Sequence, residues 1–133
     1  MLAALADTHA AIWYVFNDPR LSPTARSFMA EWTSAGHEIG VSAITVAEIV
    51  YLVERGRVPP DALLQLVAVL RSPEILLTEV PVSLEIGEAM TSVPGAVVPD
   101  MPDRIIAASA LHLGVPLISR DRKIRLSDVE TIW

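Results

Sequence analysis

Short apolar runs alternate along the chain with longer stretches whose apolar residues recur at helical spacing. Leu2-Ala3-Ala4-Leu5-Ala6 is short and uninterrupted, as a strand buried on both faces requires. Thr8 to Phe16 then places Ala10, Ala11, Ile12, Val15 and Phe16 at helical intervals. Asn17-Asp18-Pro19 is a turn signal. Ser22-Pro23 pairs an N-cap with a proline at the first helical position, and predicts a helix to about Ala35 that Gly36 stops. Ile39 to Ser42 reads as a short strand. A third helix is expected from near Thr45 to Arg55-Gly56, and a fourth from Pro60-Asp61 through Leu63, Leu64, Leu66, Val67 and Leu70.

Further along, Ile75 to Val80 is strand-like, and Ser83 caps a short helix through Met90 with Glu85 in its first turn. The segment from Val93 to Pro102 is rich in proline and glycine and reads as a loop. Arg104 to Leu113 is a nearly all-apolar helix ended by Gly114. Val115 to Ser119 is a buried strand, and Glu130 to Trp133 one more short edge strand. Strands alternating with helices predict an α/β fold, with a mainly parallel central sheet of four or five strands flanked by helices. No repeat, low-complexity tract or linker divides the chain, so residues 1–133 are expected to form one domain. In such folds ligands sit outside the carboxyl ends of the strands. Asp7 and Asp121 both fall at predicted strand ends.

Composition narrows the chemistry. Apolar residues make up 52% of the chain and cysteine is absent, so disulfides, thiolate metal sites and thiol nucleophiles are excluded. That usage suits a reducing cytoplasm. No apolar stretch approaches the ~20 residues of a membrane span. The N-terminal run has no positive flank and is interrupted by Asp7, unlike a signal peptide. The formal charge of −6 argues against a non-specific nucleic-acid coat, although two divalent ions would offset most of it. Arg120, Arg122, Lys123 and Arg125 nevertheless cluster around Asp121.

Four acids stand out against this background. Asp7 ends the first strand, Asp103 opens an apolar helix, and Asp121 follows the last buried strand. Glu48 interrupts the apolar run Thr45-Val46-Ala47-Glu48-Ile49-Val50. A carboxylate in such a place is costly unless it meets a cation or donors. Each has an ordinary explanation: Asp7 as a helix cap, Asp103 as a first-turn residue favoured by the helix dipole, Asp121 as a turn residue, Glu48 as half of a buried ion pair with an arginine. Taken together they favour a carboxylate site for magnesium or manganese. Two such ions, ~3.5–4 Å apart, can clamp the attacking and leaving oxygens of a phosphodiester.

Four segments then resemble, in order, the motifs of PIN-domain ribonucleases of the VapC toxin type. They are Ala6-Asp7-Thr8-His9-Ala10-Ala11-Ile12-Trp13, Val41-Ser42-Ala43-Ile44-Thr45-Val46-Ala47-Glu48-Ile49, Asp100-Met101-Pro102-Asp103-Arg104-Ile105-Ile106-Ala107-Ala108, and Leu117-Ile118-Ser119-Arg120-Asp121-Arg122-Lys123-Ile124. They span nearly the whole chain. The third departs from the common Asp-Pro-x-Asp-Arg in having Met101 before Pro102, with the spacing of the acids kept. The resemblance implies a PIN-like α/β/α fold and a magnesium- or manganese-dependent endoribonuclease. It further implies the toxin of a type II toxin–antitoxin system, a homodimer silenced by a cognate antitoxin protein. By motif, Asp7, Glu48, Asp103 and Asp121 carry over as metal-binding, catalytic acids, and Ser119 as the small hydroxyl residue near the fourth. Asp7, Glu48 and Asp103 are expected to hold a first ion and Asp121 a second ion or the attacking water, leaving a 5′-phosphate and a 3′-hydroxyl.

Thr8 is a candidate to hold Asp7 through its hydroxyl, and Asp100 to shape the loop before Asp103. Arg104, Arg120, Arg122 and Lys123, with Arg125, are candidates to hold the RNA backbone beside the ions; the plain alternative is a solvated loop. His9, His37 and His112 form no spaced ligand set and read as structural or surface residues. Trp13, Tyr14, Phe16, Trp32 and Tyr51 read mostly as core, with any exposed ring marking a dimer or antitoxin surface. Two other functions remain open. One is a non-catalytic PIN-like interaction module whose acidic pocket docks a partner's arginine. The other is a phosphotransfer protein with an aspartyl nucleophile, disfavoured because His9 stands where such hydrolases carry a second acid.

Overall fold

Every apolar run read as a strand enters one sheet, and the last three strands are shorter than the runs that predict them. A computed structural model describes all 133 residues. The strands are β1 (Leu2–Ala6), β2 (Glu38–Ser42), β3 (Leu77–Val80), β4 (Leu117–Ile118) and β5 (Thr131–Ile132). The helices are α1 (Thr8–Val15), α2 (Pro23–Ser34), α3 (Ala43–Glu54), α4 (Pro60–Leu70), α5 (Leu84–Ala89), α6 (Met101–Leu113) and α7 (Arg122–Arg125), with a single 3₁₀ turn at Met90–Ser92. All pairings are parallel, in the order β3-β2-β1-β4-β5.

Alternate residues of each strand feed opposite faces. Ala4, Ala6, Ile39, Val41, Leu77 and Ile118 pack on one side with Trp13, Met29 and Leu66 of α1, α2 and α4. Leu5, Val80 and Leu117 pack on the other with α6 residues such as Ile106 and Ala110. Helices on both faces explain why these strands carry no polar alternation.

The connection from β1 runs outward to β2 and β3 on one side, while β4 and β5 lie on the other. Chain direction therefore splits beside β1, and a crevice opens between the carboxyl ends of β1 and β4. That crevice is where Asp7 and Ser119 emerge.

Several boundaries move for identifiable reasons. Helix α3 starts at Ala43, before Thr45, because the Ser42 side chain caps it by accepting from the Ile44 amide at 3.2 Å. Helix α6 starts at Met101 within the stretch read as a loop. Asp100 is its N-cap, and Pro102 lies in the first turn where its missing N–H is harmless. Ile75 falls outside β3 in a turn and is 42% exposed. Only Leu117 and Ile118 of the run Val115 to Ser119 pair with both neighbours.

Gly40 faces the crowded side of the sheet. A Cβ there would lie 2.9 Å from Leu5 Cδ1 and from Val80 Cγ2, and 3.1 Å from Leu2 Cδ1. The leucine tips can yield, but the valine is stiff at χ1. Gly40→Ala is therefore expected to cost about 1–3 kcal/mol through overpacking, seen as a melting temperature lower by roughly 3–10 °C. An unchanged melting temperature would mean that Leu5 and Val80 repack freely.

Candidate active site

The carboxyl end of β1 turns directly into α1, and Asp7 makes the turn. Its backbone is extended and its Oδ1 accepts the Ala10 amide at 2.9 Å, so it is the cap of α1. Capping uses only part of the carboxylate, and Asp7 also lines the crevice floor. The structural and the chemical readings of this residue therefore coexist. Asp121 repeats the arrangement past β4. Its Oδ1 accepts the Lys123 and Ile124 amides at 2.8 and 3.3 Å, capping α7. Helix α7 takes up part of the segment read as a solvated loop.

Glu48 comes from the second turn of α3, which packs against α4 on one side and α6 on the other. This helix thus carries Glu48 to the end of the sheet. The Thr8 hydroxyl donates to Glu48 Oε1 at 2.5 Å, and Thr8 Oγ1 lies 3.1 Å from Thr45 Oγ1. Thr8 therefore orients Glu48, and not Asp7 as its place in the sequence suggests. Asp103 sits in the first turn of α6, and its amide is bound by the capping Asp100 carboxylate at 3.2 Å. Ser119 is fully buried. Its Oγ accepts the Asp121 amide at 3.0 Å.

Asp7, Glu48, Asp100, Asp103 and Asp121 line a single cleft of about 570 Å³. No arginine or lysine neutralises any of them, because the sole ion pair of the chain joins Arg20 to Asp18. This removes the ion-pair explanation for Glu48. The electrostatic result is a cleft with excess negative charge. Burial, followed by the charges of Asp100, Asp121, Glu48 and Asp7, pushes the Asp103 carboxyl up to about 7. Burial also raises Asp7; the Ser119 hydroxyl, the Ala10 amide and His9 pull it back, and the Asp121 charge adds slightly to the rise.

The donors are all hard carboxylate oxygens with no sulfur among them, a set that suits magnesium or manganese and not a soft metal. In their present rotamers no three of the acids are gathered into a ready ion cage. The carboxylates are electrically coupled, and Asp7, Asp121 and Glu48 are each bound by their own amides or hydroxyl.

Arg120, Arg122 and Lys123 also line the cleft, and all three are exposed. Arg104 does not. Its guanidinium donates to the Val93 and Met90 carbonyls at 2.8 and 2.9 Å, so it holds the loop before α6. His37 stacks edge-on against Trp32, and His112 lies in the last turn of α6. His9, however, lines the cleft, as do Trp13 and Trp133, which sequence reasoning leaves outside the site. Their spacing along the chain gives no signal of this, since Trp13 and Trp133 meet only through the fold, with ring centroids 5.9 Å apart.

The PIN domain family model matches residues 4–130. Ribonuclease VapC22 of Mycobacterium tuberculosis is 26% identical over 125 residues, spanning 94% of this chain and 92% of that protein. Among solved structures, VapBC2 of Rickettsia felis bound to a promoter DNA fragment aligns with a TM-score of 0.71 at 15% identity, covering 98% of this chain and 97% of the other. A toxin–antitoxin complex from Klebsiella pneumoniae aligns at 0.69 and 21% identity over the same shares of the two chains. At such identities the structural likeness speaks for the fold alone.

Proposed function

The chain belongs to the PIN-domain family, and from that premise we propose that it is a metal-dependent endoribonuclease acting as the toxin of a toxin–antitoxin pair. The observation that carries this reading is the cleft itself, where Asp7, Glu48, Asp103 and Asp121 meet without a neutralising cation. The likeness to a ribonuclease named VapC22 supports the reaction class. The likeness to toxin–antitoxin complexes supports an antitoxin partner.

Asp7, Glu48, Asp103 and Asp121 would hold magnesium or manganese, which when bound supplies positive charge at the phosphate and acidifies water. The remaining work falls to the chain's own groups. Thr8 fixes the rotamer of Glu48, the Ala10 amide holds Asp7, and buried Ser119 binds the amide of Asp121, so the acids from β1, α3 and the segment after β4 are each held by their own neighbour. Arg120, Arg122 and Lys123 hold the RNA backbone at the cleft's rim. Asp100 caps α6 and so places Asp103.

A homodimer and an antitoxin both need an apolar face. Val50, Tyr51 and Leu64 on α3 and α4 are exposed, Leu64 to 69%, and supply one. No helix is long and apolar enough to cross a membrane.

The test is cleavage of structured RNAs by the full chain and its Asp7→Asn variant, with manganese, with magnesium and with EDTA. Cleavage is expected only with the unaltered chain and metal. Cleavage that survives EDTA, or that Asp7→Asn retains, would overturn this mechanism. A folded protein that binds manganese but cuts no RNA in a broad panel would favour the docking-module alternative.

A further inference from the structure

One wall of the acidic cleft is aromatic and cationic, and its parts come from the two ends of the sequence. Trp13 is 3% exposed and forms the back of this wall. The Arg120 guanidinium lies over its ring, 4.6 Å from Cζ to the centroid, and Arg20 lies over it at 5.1 Å. His9 and Trp133 flank it, with centroids 5.5 and 5.9 Å away.

Two guanidiniums on one indole repel unless one is neutralised. Arg20 is neutralised: its Nε and Nη2 donate to Asp18 at 3.1 and 2.8 Å. Arg120 makes no ion pair and no hydrogen bond to a side chain or to the backbone. Trp13 thus seats a planar guanidinium at the cleft's edge, exposed and with none of its five donors taken by the protein. The Trp133 ring, partly buried, also lines the cleft.

A planar cation, an indole and an imidazole grouped next to a phosphodiester-cleaving site match the chemistry of one unpaired nucleotide. Its base stacks on aromatic or guanidinium planes, and its phosphate takes the arginine donors. A base held within an A-form duplex cannot reach such a wall. We propose that His9, Arg120 and Trp133 form a subsite for one unpaired RNA base flanking the scissile phosphate, with Trp13 as the positioning residue on which Arg120 rests. The proposal rests on the ribonuclease reading and adds to it the residues that meet the base beside the cut.

The experiment uses the full chain carrying Asp7→Asn, so that RNA is bound without turnover, and short single-stranded RNAs containing one 2-aminopurine. Stacking of the fluorescent base quenches its emission. Quenching is expected with single strands and not with the same strand in a duplex. Trp133→Leu is expected to weaken binding about 10-fold and to remove most of the quench, and Trp133→Phe to restore it, which a merely structural role would not do. Arg120→Lys keeps the charge but loses the plane, and is expected to lose the quench with a smaller loss of affinity. It lies on the surface and guards against a misfolded Trp133 variant. Equal quenching by all variants, or equal binding of duplex and single strand, would overturn the subsite. Cleavage by the unaltered chain, measured separately on the same RNAs, tells the two readings apart. Cleavage without variant-sensitive quenching leaves the nuclease and removes the subsite. Quenching without cleavage retains the subsite and removes the nuclease.

Discussion

Asp103→Asn is expected to abolish RNA cleavage while making the metal-free fold more stable. The two effects have one cause. Asp103 is the acid that its surroundings most favour in the neutral form near pH 7, its carboxyl raised from the usual 3.8 to about 7 by burial and by four neighbouring acids. Asparagine resembles the neutral form in shape but gives a much weaker metal oxygen. Loss of that ligand is expected to lower the rate by on the order of 10³-fold, about 4 kcal/mol of barrier.

The stability effect follows from linkage. A carboxyl whose pKa is higher in the folded state keeps its proton there while the unfolded chain has lost it. Stability therefore falls as pH rises from about 4 to about 7, and above that window the loss is complete. A tenfold difference in proton affinity between the two states corresponds to ~1.4 kcal/mol, and charge shared among coupled acids in an open cleft reduces the sum to about 1–3 kcal/mol. At pH 8 without metal, Asp103→Asn should melt several degrees above the unaltered chain, and at pH 4 the two should coincide. Equal melting temperatures at pH 8 would mean that the cleft does not load Asp103 in this way.

Divalent metal is expected to reverse that pH dependence. An ion that binds only the folded chain stabilises it by about 2.7 kcal/mol at a hundred times its dissociation constant. The ion competes with protons for the same oxygens, so its effect should be small at pH 5 and grow toward pH 8. Thermal melts with and without magnesium at pH 5, 6.5 and 8 check this. The metal-free protein should lose stability across the series, and the metal-loaded protein should lose less or gain. A metal-induced change of the same size at every pH would place binding away from these carboxylates.

Much of this is legible in the sequence because parallel strands buried on both faces leave an unmistakable mark: Leu2 to Ala6 and Val115 to Ile118 have no polar alternation. Helix ends with chemical signals, such as Ser22-Pro23 and Gly114, are readable for the same reason. Gly114 takes a left-handed φ of 66° at the end of α6. Helix α7 escapes such a reading because Arg-Lys-Ile-Arg has one buried residue, Ile124, and its main local signal, the Asp121 cap, also reads as a turn. The role of Arg104 is hidden for a different reason. Its neighbour Asp103 faces the cleft, but on a helix adjacent positions point about 100° apart, and Arg104 turns to carbonyls 11 and 14 residues back. Thr8 reads as a partner of the adjacent Asp7, whereas its hydroxyl serves Glu48, 40 residues away. The wall built on Trp13 and Arg120 depends on the pairing of β1 with β4, which no local pattern encodes.

That pairing also sets when the chemistry can begin during synthesis. Strand β1 is made first, yet its partner β4 and the acids Asp103 and Asp121 come more than ninety residues later. A nascent chain extended only through α5 can pair β1 with β2 and β2 with β3, but it exposes one raw edge of β1 and owns half of the four carboxylates. On the proposed ribonuclease reading, such a chain does not yet hold a complete site for cutting RNA. The late closing of the sheet is in this sense a built-in delay, in which the last-made segments both seal the exposed edge and complete the cleft.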